Sequence, residues 1–231
     1  KNISDQFSED PKVRALLSHC YILKDDAVNA TEQLNKAKEL DPDMALVCWN
    51  EVRLLLKKQN VAKALAIAKN TNNRFPDDVE GISLLGSCLR VHGDIQKSID
   101  CLNKAIEINP NYTEALINRG LAFLKKNEKY KALNDLESAH RLKPHIKSIW
   151  NIILNLKMEF RQFEDTIALL NAMAIVAPMD EKILERIAIC YQILGNFDQA
   201  VIAHRKALEI NPNFSEAWVN LGTSLKEQDR L

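Results

Sequence analysis

Pro42, Pro76, Pro110, Pro144, Pro178 and Pro212 stand 34 residues apart, six in a row without a slip. No other feature constrains the fold as tightly, because a fixed period of about 20–50 residues is the signature of a repeat architecture. Two stretches, KAIEINPNYTEALINRG (104–120) and KALEINPNFSEAWVNLG (206–222), are near copies lying 102 residues apart, which is three periods. The chain reads as one small unit written several times.

The period 79–112 shows what that unit is. Ile82, Leu85, Gly86 and Leu89 follow i, i+3, i+4, i+7 spacing, the face of one helix. His92-Gly93-Asp94 interrupts it, with Gly93 free to take the left-handed conformation that ends helices. A second stripe at Ile99, Leu102, Ala105 and Ile106 runs toward Pro110, which cannot continue a helix. Asn111 with Glu114, Asn213 with Glu216 and Asp77 with Glu80 have the spacing of capping pairs, so each Asn or Asp is expected to open the helix that follows. The pattern predicts thirteen helices in hairpins that turn near residues 25, 59, 93, 127, 161 and 195.

Small residues explain how each hairpin closes. Gly86, Gly120 and Gly222 share one slot with Ser18 and Ala188, while Ala30, Ala64, Ala132 and Ala200 share a slot in the second helix. Ala37, Ala105, Ala139 and Ala207 share another, and small side chains let two helices approach closely. Cys20, Cys88 and Cys190 also fall in register, which predicts three copies of a small buried slot rather than a disulfide framework. One hairpin cannot stand alone. Ordering a residue costs roughly 1–2 kcal/mol, and a buried Leu or Ile stabilises by only about 1.5–3 kcal/mol, so neighbours must share apolar surface.

A small-residue slot, large apolar neighbours, a closing Pro and a 34-residue period resemble the tetratricopeptide repeat family. The resemblance divides the chain into a lead-in, 1–10, and a single array of six periods (11–44, 45–78, 79–112, 113–146, 147–180 and 181–214) with a partial seventh at 215–231. It implies an all-α, right-handed solenoid of antiparallel hairpins whose first helices line the concave side. Period 147–180 departs from the pattern, with Leu154, Thr166 and Met173 in the small slots and Lys157 where Tyr21, Phe123 and Tyr191 stand elsewhere. Overpacking typically costs about 1–3 kcal/mol unless the backbone moves, so this hairpin is expected to be the most distorted. Period 45–78 likewise carries Val52 and Thr71 in two small slots.

Several functions are disfavoured by what the residues are. Lys plus Arg equals Asp plus Glu at 31 each, so no basic excess exists to neutralise phosphates. No apolar run approaches the 18 or so residues of a membrane span, and the first residues carry no signal-peptide pattern. Five cysteines without a C-x-x-C pair point to a reducing compartment, read here as cytoplasmic. GISLLGS (81–87) imitates a phosphate-binding loop, but Ser87 replaces its Lys and the segment falls within a helix. His140 and His145 straddle Pro144 and so do not share a helical face. No catalytic motif, metal site or cofactor is expected.

A protein or peptide partner is expected instead, held by first-helix residues that lie off the packed stripe. The candidate groove residues are Trp49, Arg53, Ile117, Asn118, Leu121, Leu124, Asn151, Asn155, Lys182 and Arg186. The wider lining includes Leu56, Ser83, Ser87, Arg90, Met158, Glu185 and Ile189. The family resemblance suggests two ways of holding a peptide. A chaperone-tail clamp is matched only at Lys182 and Arg186, and an asparagine ladder only at Asn50, Asn118 and Asn220. Helix 215–231, with Trp218, Leu221, Gly222 and Leu225 on one stripe, adds an expectation of end-on self-association. The leading reading is a non-enzymatic interaction scaffold. The alternative is the substrate-recruiting part of a larger glycosyl- or sulfotransferase, and RNA binding is disfavoured by the zero net charge.

Overall fold

In a computed structural model, which describes residues 10–176 and 178–229, the chain is all-α. Thirteen α-helices lie among the described residues: α1 Pro11–Leu23, α2 Ala27–Leu40, α3 Ala45–Lys57, α4 Val61–Arg74, α5 Val79–His92, α6 Ile95–Ile108, α7 Thr113–Lys125, α8 Lys129–Leu142, α9 Trp150–Glu159, α10 Phe163–Val176, α11 Glu181–Ile193, α12 Phe197–Ile210 and α13 Ser215–Gln228. The described prolines of the period all fall between helices, and no helix runs through one. The lead-in 1–9, Ala177 and residues 230–231 lie outside the described residues.

Six residues in left-handed backbone make the hairpin turns: Asp25, Gln59, Gly93, Asn127, Arg161 and Gly195. They keep the 34-residue period although only two are glycine. Chain geometry repeats here even where the residue suited to it does not.

Two compact units divide the chain, 1–146 and 147–231. In the first, α1 to α8 form four hairpins, each first helix packing on its own second helix, on the preceding second helix and on the neighbouring first helices. Ala15, Ala30, Leu34, Val47 and Leu54 form one core cluster, Trp49, Leu65, Ala68, Leu85 and Cys88 a second, and Ile82, Leu102, Ala105 and Ala115 a third. In the second unit, α12 and α13 join through Val201, Leu208, Ala217 and Leu221.

The small slots are needed for contact. A Cβ on Gly86 would lie 2.5 Å from Leu102, and one on Gly120 2.9 Å from Leu136. The equivalent Gly222 has nothing within 4 Å. Cys88 and Cys190 occupy their slot fully buried, but Cys20 is exposed on α1, which corrects the expectation of three buried copies.

Helix starts also differ from expectation. Asn111, Asp77 and Asn213 are not the caps; the helices open one residue later, at Tyr112, Asp78 and Phe214. Two arrangements alternate. Where the opening residue is Asp10, Asp78 or Asp180, its carboxylate accepts from the N–H two residues on. Where it is the apolar Met44, Tyr112 or Phe214, the side chain of Asp41, Asn109 or Asn211, just before the proline, accepts from the N–H of residue 43, 111 or 213. That Asx turn orders the corner instead.

Period 147–180 departs from the rest. It starts with a 3₁₀ turn, Lys147–Ile149, and α9 has 10 residues where the other first helices have 13 or 14. Leu154 and Thr166 fill their slots fully buried, and buried Lys157 reaches Asp165 at 3.4 Å.

Candidate functional site

A first helix has three jobs around its circumference. One side meets its own second helix, one the preceding hairpin, and what remains lies between these contacts. Residues on that third side recur every 34 positions, so each helix contributes a rung and neighbouring helices set the rungs in rows.

Trp49 is not on this surface. It is 1% exposed, its indole packed where a Cβ on Gly81 would fall 2.1 Å away, with Nε1 donating to Asp78 at 2.6 Å. Trp49 is a junction between hairpins, which corrects its assignment to the groove. Arg53 is half-buried, donating to Asn50 at 3.2 Å and pairing with Glu80. Asn50 is fully buried and donates to the Ala15 carbonyl at 2.7 Å, while Asn220 donates to Glu185 at 2.7 Å. Two of the three ladder positions therefore bond neighbouring helices, and only Asn118 is left to face a ligand.

On α7, Ile117, Asn118, Leu121 and Leu124 are all half-buried, each with surface to spare. Rows from α3 and α5 continue them. Leu56, Arg90 and Leu124 stand 34 residues apart, with Ser87 and Leu121 one turn earlier, and all five are half-buried. Ser83, by contrast, is buried.

In the second unit Asn151 and Asn155 are exposed on α9, Lys182 is exposed on α11, and Arg186 is half-buried. Arg186 donates to Asn151 at 3.3 Å. The four line one cleft of about 500 Å³ with Leu170, Met173, Asp180 and Ile183. Two cations and two amides over an apolar floor can accept an anionic or amide group. Below it lies a polar junction that sequence reading missed. His204 is fully buried where Leu102 and Leu136 stand in other hairpins, its Nδ1 2.7 Å from Glu185. Burial pushes the Glu185 carboxyl up, but the hydrogen bonds from His204 and Asn220 outweigh it and leave the group below its ordinary value.

A second missed feature sits on the first unit. Arg119 grips the buried Asp135 with two bonds, at 2.7 and 2.8 Å, and donates to Asn103 at 2.8 Å, beside a cleft of about 400 Å³. The signal was available, since Arg119 interrupts the register of Leu85, Ile153, Ile187 and Leu221. The buried thiols are poor candidates for chemistry: burial pushes Cys88 up to about 12 and Cys190 to about 11, keeping both protonated. Among the described residues no three His, Cys, Asp or Glu side chains are arranged to hold a metal, and no helix is long and apolar enough to cross a membrane.

Family profiles described as tetratricopeptide repeat match residues 182–214 and 205–231, and one described as TPR repeat matches 86–127. A curated relative, BBSome complex member BBS4 of Bos taurus, is 22% identical over 210 residues, covering 90% of this chain. The chain spans 40% of that relative's length. Among solved structures, pilF of Pseudomonas aeruginosa aligns with TM-score 0.68 and 16% identity, over 90% of this chain and 95% of its own. YrrB, titled a TPR protein with an unusual peptide-binding site, aligns with TM-score 0.61 and 17% identity, over 80% of this chain and 95% of its own. At these identities the structural likeness is one of fold.

Proposed function

Because this chain is a tetratricopeptide-repeat protein, we propose that it is an interaction scaffold whose first-helix surface holds a segment of a partner protein. The observation that carries the reading is the α7 face, where Ile117, Leu121 and Leu124 surround Asn118 and none of the four is packed away. Apolar groups there supply burial, and an amide can satisfy a peptide backbone that loses its water. YrrB, of the same fold, is described as a TPR protein with an unusual peptide-binding site, which supports the reading. In the second unit, Lys182 and Arg186 with Asn151 and Asn155 offer a place for an acidic group of the same partner class.

The test uses N-acetylated, C-amidated dodecapeptides in a randomised array probed with the full chain. Replacing Asn118, Leu121 and Leu124 together by Ala weakens binding of the selected peptides about tenfold or more, since losing a hot spot costs roughly 2 kcal/mol. Unchanged binding moves the site off this face. Self-association is a second element of the reading. Trp218 is 56% exposed and Val219 69%, although Leu221, expected on the same open stripe, is instead buried against α12.

A further inference from the structure

Five arginines are half-buried among the described residues: Arg14, Arg53, Arg90, Arg119 and Arg186. Four have a partner, respectively Gln33, Glu80 with Asn50, Asp135 with Asn103, and Asn151. Arg90 has none, and its Nε is buried without a hydrogen bond. Burial alone pulls the guanidinium below its ordinary pKa, with no carboxylate opposing that pull. Cations drawn partly out of water are normally paired, and with Nε enclosed the terminal guanidinium nitrogens of Arg90 are what is left to take a partner.

Its own helix does little to supply one. Arg90 lies in the last turn of α5, where the helix dipole favours a cation, but the dipole is not an acceptor for Nε. Rows on either side supply no carboxylate. Leu56 and Leu124 flank it in register, Arg53, Ser87 and Leu121 stand one turn earlier, and Lys57, Val91 and Lys125 occupy the next register position. Lys57 is engaged with Asp25 and the Ile22 carbonyl, and Glu80 with Arg53. The row is therefore a half-buried, unpaired guanidinium between two half-buried leucines, in a basic setting.

We propose that Arg90 is the anion-recognising residue of the first unit's peptide surface, pairing with an Asp or Glu side chain of an extended partner segment whose apolar residues lie on Leu56 and Leu124. The proposal rests on the scaffold reading above and adds the chemistry of what is read. Its spacing follows from geometry. Packed helices lie about 8–10 Å apart, and an extended chain rises about 3.3 Å per residue, so one register step spans about three peptide residues. The recognised pattern is apolar-x-x-acidic-x-x-apolar. A guanidinium fork suits a carboxylate in two parallel bonds, and the leucines on both sides keep water from competing. Arg90 lies outside the Lys182–Arg186 cleft, which belongs to the second unit.

The experiment compares the full chain with Arg90→Gln and Arg90→Lys on the amidated array and on a matched array with free C-termini. Urea midpoints first establish that all three proteins are folded. The expected result is enrichment of the three-residue pattern by the wild type. Arg90→Gln then loses the acidic preference while keeping the apolar one, with at least tenfold weaker binding of the acidic peptide. The Gln counterpart of that peptide binds both proteins equally, and Arg90→Lys recovers part of the difference. An acidic preference that persists in Arg90→Gln overturns the assignment and leaves the scaffold reading intact. An Arg90-dependent preference for free C-termini overturns the side-chain form, and a spacing of six or seven residues overturns the extended form. If the wild type enriches no peptide, the scaffold reading falls and this proposal falls with it.

Discussion

Gln59 and Arg161 sit in left-handed backbone, at φ 59° each, where a β-carbon costs roughly 1–2 kcal/mol. Glycine at these turns gives back part of that gain through unfolded-state entropy. We expect Gln59→Gly and Arg161→Gly each to raise stability by about 0.5–1 kcal/mol, read as a higher urea midpoint at unchanged slope. Asn127 gains less, because Asn tolerates this conformation. The glycines in first helices divide in the opposite way. Gly81→Ala drives a methyl into Trp49 and loses about 1–3 kcal/mol. Gly222→Ala meets open space and gains up to about 1 kcal/mol of helix propensity. Thermal melts of the pair, shifting in opposite directions, check both statements.

Between residues and units, helix starts and the α11–α13 junction carry the argument. The two corner arrangements predict a crossed result. Asn109→Ala costs about 1 kcal/mol, and Asp78→Ala costs more because it also strands the buried Trp49 indole N–H, while Asp77→Ala and Asn111→Ala, expected from spacing to be the caps, cost almost nothing. Urea midpoints of the four variants decide it. At the junction, Glu185 has a lowered pKa, so its contribution is present above the unfolded carboxyl pKa, about 4.3, and is lost as pH falls through the folded value. Wild-type stability should therefore drop more between pH 6 and 3 than that of Glu185→Gln, measured by urea melts across pH.

At the scale of the molecule, repeat arrays are stabilised by each hairpin and its neighbours rather than by one core. Residues 1–146, which already contain four mutually packed hairpins, are expected to fold alone. Circular dichroism of that segment should show full helicity and a cooperative melt, and a non-cooperative melt would make the first unit dependent on the second. Trp218, exposed on α13, sets a second expectation. If this face associates, sedimentation of the wild type shifts with concentration and that of Trp218→Lys does not, since an exposed apolar face favours association.

The period determined the hairpins, their turns at 25, 59, 93, 127, 161 and 195, and the small slots, because each depends on backbone geometry that neighbouring residues encode locally. Sequence also put Ile117, Asn118, Leu121 and Leu124 within about two turns of one helix, where pitch fixes their relative directions, and all four are half-buried. What the period could not show is which side of a first helix its neighbours cover. Trp49 and Asn118 both stand off the apolar stripe, yet Trp49 is closed over by Gly81 of α5, the next first helix, and Asn118 is only half-buried. Nor does the unbroken proline series mark the division after residue 146. Arg90, Arg53 and Arg119 look alike in sequence. Only tertiary structure gave two of them a carboxylate and left the third without one, because ion pairing between helices depends on distances that no single helix encodes.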